Sequence, residues 1–174
     1  MQNKKIIALT GPKGVGKTTV AKEIESRDWQ NRCILSFAEP LRRMMSRLIP
    51  MKLMTDPEKK EQPIEWLDGK TPRQLLQSLG TDWGRDMISK TIWIEAMRQM
   101  IPEQPFDVII IDDCRFQNEA EMVREMGGIV VGLEREGIAY TGEHASEMPV
   151  KADMIVDAGD VRAAVDAIEQ IAFD

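Results

Sequence analysis

Short and almost wholly apolar runs alternate along the chain with longer amphipathic segments. The apolar runs lie at residues 6–9, 33–38, 108–111, 129–133 and 154–156. Runs without polar alternation are typical of strands that are covered on both faces of a parallel sheet. Between them, apolar residues recur every three or four positions, which is the helical period. The alternation predicts an α/β fold with a mainly parallel five-stranded sheet and helices on both faces.

The amphipathic segments predict six helices, at residues 18–27, 40–48, 71–79, 91–100, 117–126 and 161–173. The expected inner stripe of the second helix is formed by Leu41, Met44, Met45 and Leu48. The third helix has a hydroxyl cap at Thr71 and proline at its first position, and Gly80 is expected to end it. Residues 50–70 are rich in proline and charge, which predicts an exposed connection that Trp66 anchors.

The segment between the first apolar run and the first helix reads GPKGVGKT at residues 11–18. It matches the phosphate-binding pattern G-x-x-x-x-G-K-[ST], with a strand before it and a helix after it. Glycine lets the backbone turn tightly and present N–H groups to an anion, and the helix N-terminus adds its positive dipole end. Lys17 is placed to reach the β- and γ-phosphates of a nucleotide, and the Thr18 hydroxyl is placed to bind Mg²⁺.

A second candidate part of the site follows the third apolar run, which ends in Asp112 and Asp113. An apolar strand followed by Asp is typical of the carboxylate that faces the water shell of Mg²⁺. Ligands of parallel sheets bind at the carboxyl ends of the strands. We therefore expect the phosphate loop, residues 37–43, residues 113–115 and the loop from Glu134 at one edge.

The length of 174 residues predicts a single domain covering 1–174. The long helical excursion at about 39–104, between the second and third strands, is where a phosphate-accepting substrate would be held, and residues 134–150 form a polar loop. The net charge of −6 disfavours binding to nucleic acid or to an anionic membrane. Cys33 and Cys114 lack the spacing of a metal or redox site, so they indicate reduced packing residues of a cytoplasmic protein. No apolar run approaches the roughly 18 residues of a membrane helix.

Arginines are frequent near the expected binding edge, at positions Arg42, Arg43, Arg73, Arg85, Arg115 and Arg135. Phosphoryl transfer needs cationic side chains because two polyanions must approach each other. Its transition state also spreads negative charge over the non-bridging oxygens. Because a phosphate loop by itself indicates only nucleotide binding, this group of arginines is the feature that favours a kinase.

Four further motifs are FAEPLR at 37–42, TPRQLLQSLGTDWGR at 71–85, DCRFQNEA at 113–120 and HASE at 144–147. The middle two are much more specific than the phosphate loop. Through these four motifs the chain resembles the deoxynucleoside monophosphate kinases of tailed bacteriophages, from residue 5 to about residue 160. The resemblance implies a P-loop nucleoside-monophosphate-kinase fold. It also implies the ATP- and Mg²⁺-dependent phosphorylation of deoxynucleoside 5′-monophosphates to diphosphates, in the host-cell cytoplasm if a phage encodes the protein.

By position, the resemblance implies an ATP site and a set of catalytic groups. The residues that would hold ATP are Gly14, Val15, Gly16, Lys17, Thr18 and Thr19. Those that would be catalytic are Lys17, Asp113, Arg115 and Arg135, with Thr18 and, through water, Asp113 at the metal. Arg115 would bridge the donor and acceptor phosphates, and Arg135 would belong to a short lid loop at about 134–150 that excludes water.

The resemblance also implies a set of acceptor-binding residues. They are Lys13, Phe37, Ala38, Arg43, Arg73, Gln77, Trp83, Arg85, Arg115, Asn118, His144 and Glu147. Arg43 and Arg73 would clamp the monophosphate, because the guanidinium fork matches phosphate oxygens. Trp83 has two interpretations, as a stacking partner for the base or sugar and as a core tryptophan. Glu119 is expected to cap its helix rather than to contact the substrate.

Two other functions stay open at this point. One is another small-molecule kinase of the same fold, such as a dephospho-coenzyme A kinase, although residues 71–85 favour a deoxynucleotide. The other is a nucleotide-dependent module that regulates a partner. Arg115 and Arg135 argue against it, because a switch has less need of arginines from two loops. The expected partner is a small-molecule substrate, and a homodimer is the assembly considered.

Overall fold

We analysed a computed structural model of the protein, which describes residues 4–28, 30–141 and 148–173. The chain forms two compact units. The first runs up to Ser36 and resumes at Arg98, whereas the second is Phe37–Met97. The first unit contains the sheet and the phosphate loop, and the second contains most of the predicted excursion, so we describe them in turn.

The first unit is built on a parallel sheet whose strands are β1 (Lys5–Thr10), β2 (Arg32–Leu35), β3 (Val108–Ile111), β4 (Ile129–Glu134) and β5 (Met154–Asp157). The spatial order is β2-β3-β1-β4-β5, and every neighbouring pair is parallel. The predicted five-stranded sheet is therefore confirmed. Strand β2 ends at Leu35 rather than at Ala38, because the chain turns at residues 37–38 into the helix that begins at Glu39. The Ser36 side chain donates a hydrogen bond to Asp113.

The helices are α1 (Lys17–Arg27), α2 (Glu39–Met45), α3 (Met51–Thr55), α4 (Pro72–Gln77), α5 (Ile92–Glu103), α6 (Gln117–Glu125) and α7 (Val161–Phe173). In the first unit, α1 and α7 share one buried cluster with Ile7 and Leu9 of β1. Side chains alternate along a strand, so Ile6 points to the opposite face. There it adjoins Val123 of α6 beside Gly128. Helices thus cover both faces of the sheet, as predicted, and strand side chains such as Ile7, Leu9 and Ile110 are fully buried.

The second unit is helical in the part of the chain that the structure describes. It comprises α2, α3, two short 3₁₀ turns at Lys59–Glu61 and Glu65–Leu67, α4, a π-helix at Ser78–Ile88 and the beginning of α5. The expectation of a helical excursion is confirmed for these residues. The predicted start of the third helix at Thr71, the N-cap of α4, is also confirmed. The Thr71 hydroxyl accepts from Gln74 N at 3.2 Å, and the Gln74 side chain accepts from Thr71 N at 2.9 Å.

The prediction that Gly80 ends a helix is wrong. Gly80 is buried inside the π-helix that continues directly from α4. Its carbonyl oxygen accepts a hydrogen bond of 2.8 Å from the indole Nε1 of Trp93. Gly84 lies under the same indole, where an added Cβ would come within 2.5 Å of the ring. The two glycines therefore admit the Trp93 ring against the backbone instead of ending the helix.

The predicted inner stripe of the second helix is also partly wrong. Leu41 is buried, but Met44 is 47 % exposed and Leu48 is 64 % exposed. Helix α2 ends at Met45, and a tight turn then brings Ile49 inward, where it is 1 % exposed. Trp66, which was expected to anchor the connection, is 65 % exposed. Within the described residues, no helix has both the length and the apolar character that crossing a membrane requires.

The reciprocal cap at Thr71 gives a stability prediction. Thr71→Ala removes the side-chain acceptor for Gln74 N and should lower the free energy of unfolding by about 1 kcal/mol. Thr71→Ser keeps the hydroxyl and should stay within a few tenths of a kcal/mol of the wild type. Urea unfolding followed by circular dichroism measures both variants. An alanine variant as stable as the serine variant would contradict the role of the cap.

Candidate functional site

The loop between β1 and α1 has the backbone shape of a phosphate cradle. Gly11, Gly14 and Gly16 have φ values of 143°, 85° and 109°, which favour glycine. Gly11 also passes so close to β4 that an added Cβ would lie 2.5 Å from the carbonyl oxygen of Leu133. The predicted arrangement of strand, glycine loop and helix is confirmed, and the first glycine is required for both conformation and space.

The positive charge of Lys17 is held over this loop. Its Nζ donates to the carbonyl oxygens of Gly11 at 2.7 Å and Pro12 at 2.9 Å. Helix α1 begins at Lys17, and its N-cap residue is Gly16, which has no side chain that could accept from the first N–H groups. Its first N–H groups therefore add the positive end of the helix dipole at the same place. Backbone N–H groups, a dipole and an ammonium together form an anion-binding site.

Two consecutive carboxylates follow β3 and contact different hydroxyl groups. Asp112 Oδ2 accepts from Thr18 Oγ1 at 3.0 Å, and Asp113 Oδ2 accepts from Ser36 Oγ at 2.5 Å. The role of Asp113 in orienting the water shell of Mg²⁺ stays a prediction from the sequence. In the structure, however, the carboxylate that contacts Thr18 is that of Asp112. Sequence reasoning missed this residue, since the apolar strand is followed by two Asp residues and the motif fits either.

The segment after these carboxylates is fixed by Glu119, which is 1 % exposed. Its Oε2 accepts from the backbone N–H groups of Arg115 at 2.8 Å and Phe116 at 3.1 Å. The expected capping role of Glu119 is confirmed. The Arg115 side chain is exposed, whereas Cys114 faces the interior. Burial, followed by the nearby carboxylates of Glu119 and Asp113, raises the pKa of Cys114 far above its usual value.

Beside the phosphate loop lies an open cavity of about 420 Å³. Its lining residues are Pro12, Glu134, Arg135, Glu136, Ile138, Ala139, Tyr140 and Asp157. The lining therefore combines a loop residue with the segment after β4, where Arg135 and Ile138 form an isolated antiparallel bridge. Burial raises the pKa of Tyr140, whose hydroxyl also interacts with the Thr10 side chain. Arg135, one of the site residues predicted from the sequence, thus lines a cavity next to the phosphate loop.

Several predicted acceptor-binding residues lie in the second unit. Arg73 Nε donates to Glu61 Oε1 at 2.5 Å, which also makes the two side chains an ion pair. Trp83 is partly buried, with its ring centroid 6.4 Å from that of the buried Trp93. Arg85 lies on the same π-helix, and its Nη1 is 3.4 Å from the carbonyl oxygen of Gly80.

The remaining predicted residues differ in accessibility. Phe37 is 4 % exposed, whereas Lys13 and Arg43 are exposed. Arg43 Nε donates to Glu39 Oε1 at 2.9 Å, and the neighbouring Arg42 also approaches Glu39. Those of intermediate exposure are Ala38, Gln77 and Asn118. His144 and Glu147 lie outside the described residues.

Comparison with known sequences identifies relatives across most of the chain. The profile of the family described as deoxynucleotide monophosphate kinase matches residues 58–162. A mimivirus protein (Acanthamoeba polyphaga mimivirus) named as a deoxynucleotide monophosphate kinase is 34 % identical over 160 residues, covering 84 % of this chain and 82 % of the relative. The deoxynucleoside-5′-monophosphate kinase of Escherichia phage T5 is 34 % identical over 92 residues, covering 49 % of this chain and 37 % of its own.

Solved structures show the same fold at low sequence identity. Shikimate kinase from Bacteroides thetaiotaomicron is 17 % identical and gives a TM-score of 0.51, with 98 % of this chain and 99 % of that chain covered. Shikimate kinase from Aquifex aeolicus is 14 % identical and gives a TM-score of 0.52, with 95 % and 94 % covered. These similarities confirm the predicted α/β P-loop kinase fold.

The buried thiols give a prediction on reactivity. Burial also raises the pKa of Cys33, to about 11. Because the thiolate is the reactive form, neither Cys33 nor Cys114 should react with a thiol-specific reagent at pH 8 while the protein is folded. Both should react after unfolding in guanidinium chloride. Absorbance of the released chromophore counts the modified thiols, and rapid modification of the folded protein would contradict the burial of these side chains.

Proposed function

The chain belongs to the deoxynucleotide monophosphate kinase family. From this premise we propose that it transfers the γ-phosphate of ATP to a deoxynucleoside 5′-monophosphate in the presence of Mg²⁺. Family membership supports the acceptor, and the structural observation that carries the nucleotide-binding part of the proposal is the phosphate loop, where Lys17 Nζ donates to the carbonyl oxygens of Gly11 and Pro12 at the start of α1. Such a site neutralises a polyphosphate with fixed charges and dipoles. The product would be a deoxynucleoside diphosphate.

The donor nucleotide has room next to this loop. We propose that Gly14, Val15, Gly16, Lys17, Thr18 and Thr19 hold its phosphates. The cavity lined by Pro12, Ile138 and Tyr140 would take the base and sugar, because it adjoins the loop and offers apolar surface with polar groups around it. Arg135, which lines the same cavity, would contact the phosphates from the segment after β4.

The residues around Thr18 fit a magnesium ion. A threonine hydroxyl and nearby carboxylates are oxygen ligands, which Mg²⁺ prefers, and Thr18 contacts one of the two carboxylates that follow β3. When bound, the ion would neutralise charge on the β- and γ-phosphate oxygens. Thr18 and one of these two aspartates would hold the ion in place. The sequence assigns this role to Asp113.

Transfer needs further positive charge at the reacting phosphate. We propose that Lys17, Arg115 and Arg135 supply it, with Arg115 between the donor and acceptor phosphates. The support for Arg115 is its position: the segment carrying it is held by Glu119 directly after the β3 carboxylates, and its side chain is exposed. Preorganised cations of this kind stabilise a transition state without rearranging during the reaction.

The acceptor would be bound chiefly by the second unit. The proposed contacts are Phe37, Ala38, Arg43, Arg73, Gln77, Trp83 and Arg85, together with Lys13, Arg115, Asn118, His144 and Glu147. Arg73 has the clearest support, because Glu61 holds its Nε and so orients the guanidinium group for a bidentate contact with phosphate. Trp83 lies on the π-helix, with its ring beside that of Trp93 in α5. It would place an aromatic face near the base or sugar.

A panel of deoxynucleoside monophosphates tests the activity. With ATP and Mg²⁺, a coupled assay should show ADP production that depends on at least one monophosphate. Lys17→Ala should lower this turnover by about 10²- to 10³-fold while the circular dichroism spectrum is unchanged. Lys22→Ala, an exposed lysine on the same helix, is the matched control and should keep full activity. Background ATP hydrolysis across the whole panel would instead favour a nucleotide-dependent regulatory module.

A second prediction concerns the acceptor. Arg73→Ala should raise the KM for the monophosphate by about 10- to 100-fold, since a charged hydrogen bond contributes about 1.5–3 kcal/mol. The affinity for ATP should be retained. Arg73→Lys keeps the charge but loses the fork, so it should recover only part of the loss. Arg47→Ala, an exposed arginine of the same unit, is the control. Weakened ATP binding with an unchanged acceptor KM would contradict the assignment.

A further inference from the structure

The two aspartates after β3 contact different parts of the first unit. Strand β3 is flanked by β2 and by β1, which leads into the phosphate loop and α1. Asp112 contacts Thr18 of α1, directly after the phosphate loop, and Asp113 contacts Ser36, which follows β2. Neighbouring strands are about 4.8 Å apart, so β1 and β2 are separated by roughly twice that distance. The two carboxylates therefore serve different parts of the unit.

We propose that Asp112, rather than Asp113, is the carboxylate that orients the magnesium site of this protein; the inference rests on the proposed function. The hydroxyl oxygen of Thr18 is the metal-binding atom expected of a phosphate loop. Its proton is donated to Asp112 over 3.0 Å. A hydroxyl can bind a cation through its oxygen and still donate its proton, so this contact is compatible with an occupied site.

The contact with Asp112 would act on the metal in two ways. A carboxylate that accepts the proton fixes the rotation of the Thr18 hydroxyl and makes its oxygen a better ligand, as outer-shell partners of metal ligands do. The same carboxylate adds negative charge beside the divalent ion, whether directly or through bound water. Asp112 is partly exposed, so its carboxylate is also accessible to water.

Asp113 has a different position and is assigned a positioning role. Its partner Ser36 is 5 % exposed and is the last residue of the first unit before Phe37. Holding Ser36 fixes the point at which the chain leaves β2 for the proposed acceptor-binding unit. Loss of the Asp113 carboxylate is therefore expected to raise the acceptor KM more than it changes the effect of Mg²⁺ on nucleotide affinity.

The test compares three variants that each remove one negative charge and keep the side-chain shape: Asp112→Asn, Asp113→Asn and Asp107→Asn. Asp107 precedes β3 at its opposite end and is exposed, so it is the matched control. Isothermal titration calorimetry gives the ATP affinity of each protein in EDTA and in saturating Mg²⁺, without acceptor. The readout is the ratio of the two affinities, which needs no turnover.

Wild type, Asp113→Asn and Asp107→Asn should show the same gain in ATP affinity on adding Mg²⁺. Asp112→Asn should lose about 10- to 100-fold of that gain, the usual cost of removing an outer-shell partner. In EDTA it should bind ATP at least as tightly as the wild type, because a negative charge near the phosphates is gone. This opposite sign distinguishes the loss of a metal partner from a damaged fold.

A loss of the Mg²⁺ gain in Asp113→Asn alone, or equally in both variants, would overturn the proposal. An unchanged gain in Asp112→Asn would do the same. If Asp112→Asn does not fold, as judged by thermal unfolding, Asp112→Ser keeps a short polar group and provides the same ratio. A wild-type protein that binds no ATP with or without Mg²⁺ would refute the proposed function itself, a result distinct from the other outcomes.

Discussion

The phosphate loop depends on the close approach of its first residue to strand β4. Gly11 is so near the carbonyl oxygen of Leu133 that no side chain fits, and its φ of 143° suits glycine. This approach sets the direction in which the chain leaves β1, and therefore where the following N–H groups point. Lys17 then holds the loop from inside through two carbonyl oxygens. The central strands β1 and β4, buried on both faces, provide the rigid support that an anion site needs.

The parts of the fold that are set by local patterns could be predicted from the sequence. The five strands, the glycine loop, the cap at Thr71 and the role of Glu119 depend on residues close together in the chain. The failure at Gly80 has the opposite cause. Its carbonyl is satisfied by Trp93, thirteen residues further on, and that contact outweighs the tendency of glycine to end a helix. The helix propensity of a residue predicts little where a tertiary contact of this kind exists.

The candidate site shows the same division. The positions of Lys17 and Thr18 follow from a motif whose spacing is local. The choice between Asp112 and Asp113 could not be made from sequence, because adjacent residues at a strand end point in different directions. The hydrogen bond from Thr18 shows that Asp112 is the one that lies towards the loop. The helix α2 gives a third example, since a turn after Met45 replaces Leu48 by Ile49 in the interior.

The packing of Trp93 on the π-helix has a consequence for how this sequence can diverge. The indole fills the space that a side chain at position 84 would need, with ring atoms 2.5–2.8 Å from the added Cβ. A larger residue at that position becomes acceptable only together with a smaller one at position 93. The smaller residue would also leave the carbonyl of Gly80 without its indole donor. Positions 84 and 93 are thus expected to change together in evolution. Proteins that carry only one of the two substitutions should rarely be viable.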